Sequence, residues 1–129
     1  MGEAIMSKAI TKEDMALLKD ASEMFNETGC VPGIDGEVPA ETIVPDAKAY
    51  IWETIDDPET LYDTEIWDAP GFALVLSWLA QKWLRRCQKL APRSSKNPGQ
   101  YLTKEQQKAC LDSAAVELIR EITHKRSLN

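Results

Sequence analysis

An enzyme must gather an acid, a base, a nucleophile or a metal ligand at one place. The candidates in this chain are few. His124 is the single histidine. It lies in the basic stretch His124-Lys125-Arg126, where the negative end of a helix dipole favours cations. No serine or cysteine of the central segments has a histidine base to activate it. Gly29, Gly33 and Gly36 share a segment, but their spacing fits neither a phosphate loop nor a dinucleotide turn.

Carboxylates are the next group. Asp56, Asp57, Glu59, Asp63, Glu65 and Asp68 form a run that is the best metal candidate in the chain. It lacks the mid-loop glycine and the ligand order of a calcium hand. Helix openings at Asp57-Pro58 and Asp68-Ala69-Pro70 account for several of these acids without an ion. Paired carboxylates also hydrolyse glycosides, but a small helical chain has little room for the cleft. The expectation is therefore no catalytic residue, no metal and no cofactor.

Three cysteines stand at 30, 87 and 110. The number is odd and no pair has redox or metal spacing. Cys87 and Cys110 fall on apolar helical stripes and read as buried, reduced side chains. A reducing cytoplasm follows as the expected location. The N-terminus has no basic region followed by an apolar run. Met6 stands where a myristoylation signal needs Ser or Thr. The apolar run Phe72–Ala80 is too short to span a bilayer, so no membrane association is expected.

The charge is unevenly placed. Residues 1–70 hold 17 acidic residues against four lysines, about −13, and residues 71–129 hold four against 11 basic ones, about +7, which sum to the net −6. Such asymmetry points to partners or self-association. Lys82, Arg85, Arg86, Lys89, Arg93 and Lys96 raise a nucleic-acid hypothesis. The simpler reading is the solvated face of a helix that also balances the acidic part. With the whole chain acidic, nucleic acid is not the expected partner.

These residues must be positioned by helices. Residues 1–10 read as a flexible leader, and 11–126 as a single helical domain. Thr11 opens a first helix carrying Met15, Leu18, Ala21, Met24 and Phe25 at helical spacing, ended by Gly29. Residues 29–45, rich in Gly and Pro, read as a long loop without regular structure, with a short edge pair of Val38 and Ile43–Val44 at most. Pro45 or Asp46 opens a second helix with Ala47, Tyr50, Ile51 and Ile55 on one face. Leu61, Tyr62, Ile66 and Trp67 anchor a short segment after Pro58. The longest helix is expected over roughly residues 70–90. After a loop at 91–102, Thr103 and Gln106 form a capping box. The last helix then carries Leu111, Ala114, Ala115, Leu118, Ile119 and Ile122, and frays at 124–126. The predicted fold is all-α, a small bundle of four to five helices with a long Gly/Pro loop.

The longest helix is the most informative. Phe72, Leu76, Leu79, Trp83, Cys87 and Leu90 make an ordinary core stripe. Leu74 and Trp78 lie on the opposite side, followed by Gln81, Arg85 and Lys89. Its first half is thus apolar all round and needs cover from the chain itself or from a second molecule. Leu74, Trp78, Gln81 and Arg85 are the expected partner-binding residues, with Tyr62 and Trp67 as a second, acidic aromatic patch. The predicted function is non-enzymatic: the chain binds another protein through this face and modulates it, as a homodimer. The alternatives are a DNA-associated regulator using the basic helix, and an assembly protein of a phage or mobile element.

In size, acidity, helical pattern and lack of catalytic residues, the chain resembles the small acidic anti-activators of bacterial quorum sensing. That resemblance implies a transcription activator of the LuxR type as the partner, held away from DNA or from its own dimer. It rests on overall character, so it assigns no residue a role.

Overall fold

The computed structural model describes residues 12–33, 36–57, 69–90 and 102–128. Among them are four helices, α1 (Lys12–Thr28), α2 (Val44–Asp56), α3 (Pro70–Leu90) and α4 (Lys104–Leu128), with one small hairpin of β1 (Cys30–Gly33) and β2 (Gly36–Pro39). The all-α expectation holds, with a two-stranded addition.

α1 stops where the sequence says it should. Gly29 has φ +76°, and its N–H donates to the Phe25 carbonyl at 2.7 Å. Only glycine fits, because a Cβ here would run into the Arg126 side chain and the left-handed backbone disfavours other residues. Thr28 Oγ1 accepts the Cys30 N–H at 3.1 Å, tying the helix end to β1. The stripe is buried only in its second half. Ala21 and Phe25 enter the core, whereas Met15 is 56% exposed, which corrects its place in the predicted stripe.

The Gly/Pro segment is more ordered than its composition suggests. Cys30 pairs with Pro39, Val31 with Val38, and Pro32 with Glu37, all antiparallel. Val38 therefore pairs with Val31, and Ile43–Val44 belongs to no strand. Prolines are tolerated because a two-stranded sheet consists of edges. Burial of Val31 and of Ala40 in the helical core supplies what the short ladder cannot. A 3₁₀ turn, Ala40–Thr42, follows, and Thr42 Oγ1 donates to the Pro39 carbonyl at 2.7 Å. The expectation of a structureless loop over 29–45 is thus corrected.

α2 opens with Pro45 and Asp46 in its first turn, as their preferences for that position dictate. It buries Val44, Ala47 and Ile51. α4 opens on the predicted capping box. The Gln106 N–H donates to Thr103 Oγ1 at 3.0 Å, and the Thr103 N–H donates to Gln106 Oε1 at 2.9 Å. Two helix-end donors are thereby satisfied. α4 does not fray at 124 but continues to Leu128, held where Arg126 Nη2 meets Glu41 Oε1 at 2.8 Å.

α3 is the central strut. Ala73, Leu74, Val75 and Leu79 are all buried, and in its first half only Ser77 is exposed. α1, α2, α4 and the hairpin all pack against it. Gly71 allows the closest approach: a Cβ there would strike the Pro32 carbonyl. The cover is intramolecular, and Leu74, 8% exposed, belongs to the main core. Leu90, expected at the end of the core stripe, is instead exposed, as is Leu84.

Ion pairs stitch the outer faces. Lys108 Nζ lies 2.8 Å from Asp56 Oδ2, and Lys48 Nζ lies 2.8 Å from Asp112 Oδ1, both joining α2 to α4. Between these lysines the Trp52 ring is half-buried, with Lys108 Nζ 4.7 Å and Lys48 Nζ 5.9 Å from its centroid. Lys108–Asp56 and Arg126–Glu41 do bring cations of the second part onto acids of the first, within one chain.

Candidate partner-binding groove

α3 carries three of the expected partner-binding residues beyond its buried half. Leu74 is not among them. It belongs to the core cluster that also holds Val75 and Leu79, and α1 packs along α3. This is a correction: no outward face remains at Leu74. One turn on, Trp78 is only half-buried and meets Phe25 of α1, with ring centroids 4.8 Å apart. Gln81 and Arg85 are exposed. Tyr62 and Trp67 lie outside the described residues.

Trp78, Gln81 and Arg85 line one open groove of about 310 Å³ between α1, α3 and α4. Its apolar floor comes from three helices: Phe25 on α1, Trp78 on α3, and Leu118 and Ile122 on α4. The rim is charged, with Lys82 on α3 and Glu121 and Lys125 on α4. An apolar centre with a polar border is the anatomy of protein-binding surfaces.

The rim charges are not equivalent. Lys82 Nζ donates to Glu121 Oε1 at 2.8 Å, so these two largely cancel. One turn along, Arg86 pairs with Glu117. The hydrogen bond from Arg86 holds the Glu117 carboxyl below its ordinary range, with Lys82 and Lys89 adding to the effect. Arg85 makes no ion pair among the described residues. Lys125 Nζ rests 5.6 Å from the Phe25 centroid, a cation–π contact rather than a salt bridge. The groove thus presents two cations, one on each wall, with no counter-charge among the described residues.

The same pairing bears on the nucleic-acid alternative. Of the basic run on α3, Lys82 and Arg86 are engaged by α4 carboxylates. Arg93 and Lys96 lie outside the described residues. A phosphate backbone rewards a dense array of cations. Here the array is interleaved with Glu117 and Glu121.

The other chemical candidates are dispersed. Asp56 is bound to Lys108, whose hydrogen bond holds its carboxyl below the ordinary value; Glu59, Asp63, Glu65 and Asp68 lie outside the described residues. His124 is exposed on α4. Among the described residues no three His, Cys, Asp or Glu side chains gather as a metal site would require. Cys87 and Cys110 share a small buried cluster with Leu102 and are free thiols. Among the described residues no helix is long and apolar enough to cross a membrane.

Phe25, Leu118, Ile122 and Lys125 were not legible as site residues. Each belongs to a stripe or tail with an ordinary structural explanation, and no local signal marks them. They become a site only because α1 and α4 flank the same length of α3. Compared with known protein families, curated proteins and solved structures, the chain matches none.

Proposed function

We propose that this chain is a non-catalytic regulator that binds another protein and modulates it, and that the α1–α3–α4 groove is where the partner docks. One observation carries the reading: Trp78 and Phe25 form an apolar floor beside Arg85 and Lys125, two cations with no counter-charge among the described residues. A half-buried tryptophan such as Trp78, beside an arginine, is what interfaces use as an anchor. The finer reading is an anti-activator that sequesters a LuxR-type transcription activator in the cytoplasm. It is supported by overall size, acidity and helical make-up. Self-association belongs to the same proposal, with Met15 and Leu17 of α1, 56% and 46% exposed, as candidate contacts. DNA binding through α3 is the weaker reading, because Lys82 and Arg86 are already paired.

The test is site-specific photo-crosslinking of the full chain in bacterial cells. A photoreactive residue at Gln81 in the groove is compared with one at Val116, which is exposed and does not line it. A discrete protein adduct at Gln81, absent at Val116 and lost on Trp78→Ala, supports the reading. Equal labelling at both positions, or nucleic acid as the only adduct, overturns it.

A further inference from the structure

The groove lies on an acidic molecule. The chain carries −6 overall, yet the two rim side chains without a counter-charge among the described residues, Arg85 and Lys125, are both cationic. We infer that the groove receives an acidic amphipathic helix of a second protein, which sets its apolar side on Trp78 and Phe25 and its carboxylates on Arg85 and Lys125. This rests on the protein-binding reading above and adds the chemistry of the partner.

Three features select that occupant. First, the polar and apolar elements are side by side. An amphipathic helix offers apolar anchors at i, i+3 and i+4 with charges on the flanking positions, which matches a floor bordered by cations on both walls. Second, Lys125 is held over Phe25 by a cation–π contact, a weak interaction at an exposed site. An incoming carboxylate draws the ammonium away from the ring, which uncovers the Phe25 face for an apolar anchor. Charge recognition and opening of the floor are then one event. Third, the groove is open rather than enclosing. A small anion would leave much of its surface in water, unlike ligands of true small-molecule pockets. Glu121 on the rim and the apolar floor disfavour a phosphate backbone.

The experiment uses the full-length protein and three fluorescein-labelled synthetic peptides. One is an amphipathic helix of Leu, Trp and Glu, and the others are its Glu→Gln and Glu→Lys forms. Binding is followed by fluorescence anisotropy at low and moderate salt. The acidic peptide is expected to bind at least about fivefold more tightly than the Gln form, since two exposed charge pairs contribute that order of preference. The preference should shrink with salt. In the double variant Arg85→Glu/Lys125→Glu it should reverse in favour of the Lys peptide, with an unchanged circular dichroism spectrum. Equal binding of all three peptides, or none, overturns the acidic-helix proposal, whereas the partner reading stands or falls separately on the Gln81 crosslink. A dimer in sedimentation that dissolves on Arg85→Glu would make a second copy the occupant, and also overturns it.

Discussion

Trp78 of α3 lies against Phe25 of α1 with their ring planes tilted by 59° and centroids 4.8 Å apart. Tilted rings at this separation bring a positive edge to a negative face and add about 0.5–1.5 kcal/mol beyond area burial. The contact sets the boundary between two parts of α3. On its N-terminal side, Leu74 is sealed into the core. On its C-terminal side, the same face opens into the groove at Gln81 and Arg85.

The boundary predicts opposite outcomes for two substitutions about three turns apart on α3. Leu74→Arg places a cation in a fully packed site and is expected to cost about 3–5 kcal/mol or more. Arg85→Glu changes an exposed side chain and should alter stability by no more than about 0.5 kcal/mol. Thermal unfolding of both variants checks this. A Leu74→Arg protein as stable as the wild type would mean that this face is not core.

Gly71 is expected to be intolerant of any side chain. A Cβ at this position meets the Pro32 carbonyl and the Val31 side chain. Backbone cannot swing aside as a flexible side chain does, so Gly71→Ala should cost about 1–3 kcal/mol by overpacking. Within a helix alanine is otherwise the better residue by about 1 kcal/mol. Chemical denaturation showing a stabilised Gly71→Ala variant would refute the close packing of α3 on the hairpin.

The three thiols should differ in reactivity. Burial, with a smaller contribution from neighbouring Cys110, pushes the Cys87 thiol up to about 12. At neutral pH almost none of it is thiolate, the reactive form. Cys30 is only half-buried on β1. In the native protein, titration with an aromatic disulfide reagent should modify Cys30 first. Cys87 and Cys110 should react only on unfolding. Mass spectrometry of the labelled peptides identifies the order, and early labelling of Cys87 would contradict it.

Two carboxyls should titrate low. Hydrogen bonds from Lys108 and Arg86 depress Asp56 and Glu117 respectively. A depressed carboxyl binds protons more weakly in the folded than in the unfolded chain. Its contribution to stability is therefore complete above the ordinary carboxylate range and is lost as pH falls through the lower folded value. NMR titration of the side-chain carboxyl carbons should find both groups below their ordinary values. Lys108→Met should return Asp56 towards normal and leave Glu117 unmoved.

Much of the secondary structure was written locally. The Thr103/Gln106 box, the Pro45-Asp46 opening, Gly29 at the end of α1 and the span of α3 each depend on residues a few positions apart, so the sequence by itself determined them. The hairpin did not announce itself. Its strands are four residues each and hold prolines, and its stability comes from Val31 and Ala40 entering a core built by distant helices. The groove was half legible. Trp78, Gln81 and Arg85 share one helix face, and helical periodicity collects them whatever surrounds the helix. Whether that face was open or covered was a question about packing, and only the tertiary structure decided it, by placing Phe25 on Trp78 and burying Leu74 in the core. The same holds for the charges. Composition gave a basic second part, but which cations stay without a counter-charge among the described residues depends on the alignment of α3 with α4. That alignment sets Lys82 on Glu121 and Arg86 on Glu117, and leaves Arg85 and Lys125 facing the groove. Periodicity reports what one element presents; pairing between elements is a property of their packing, and no local pattern encodes it.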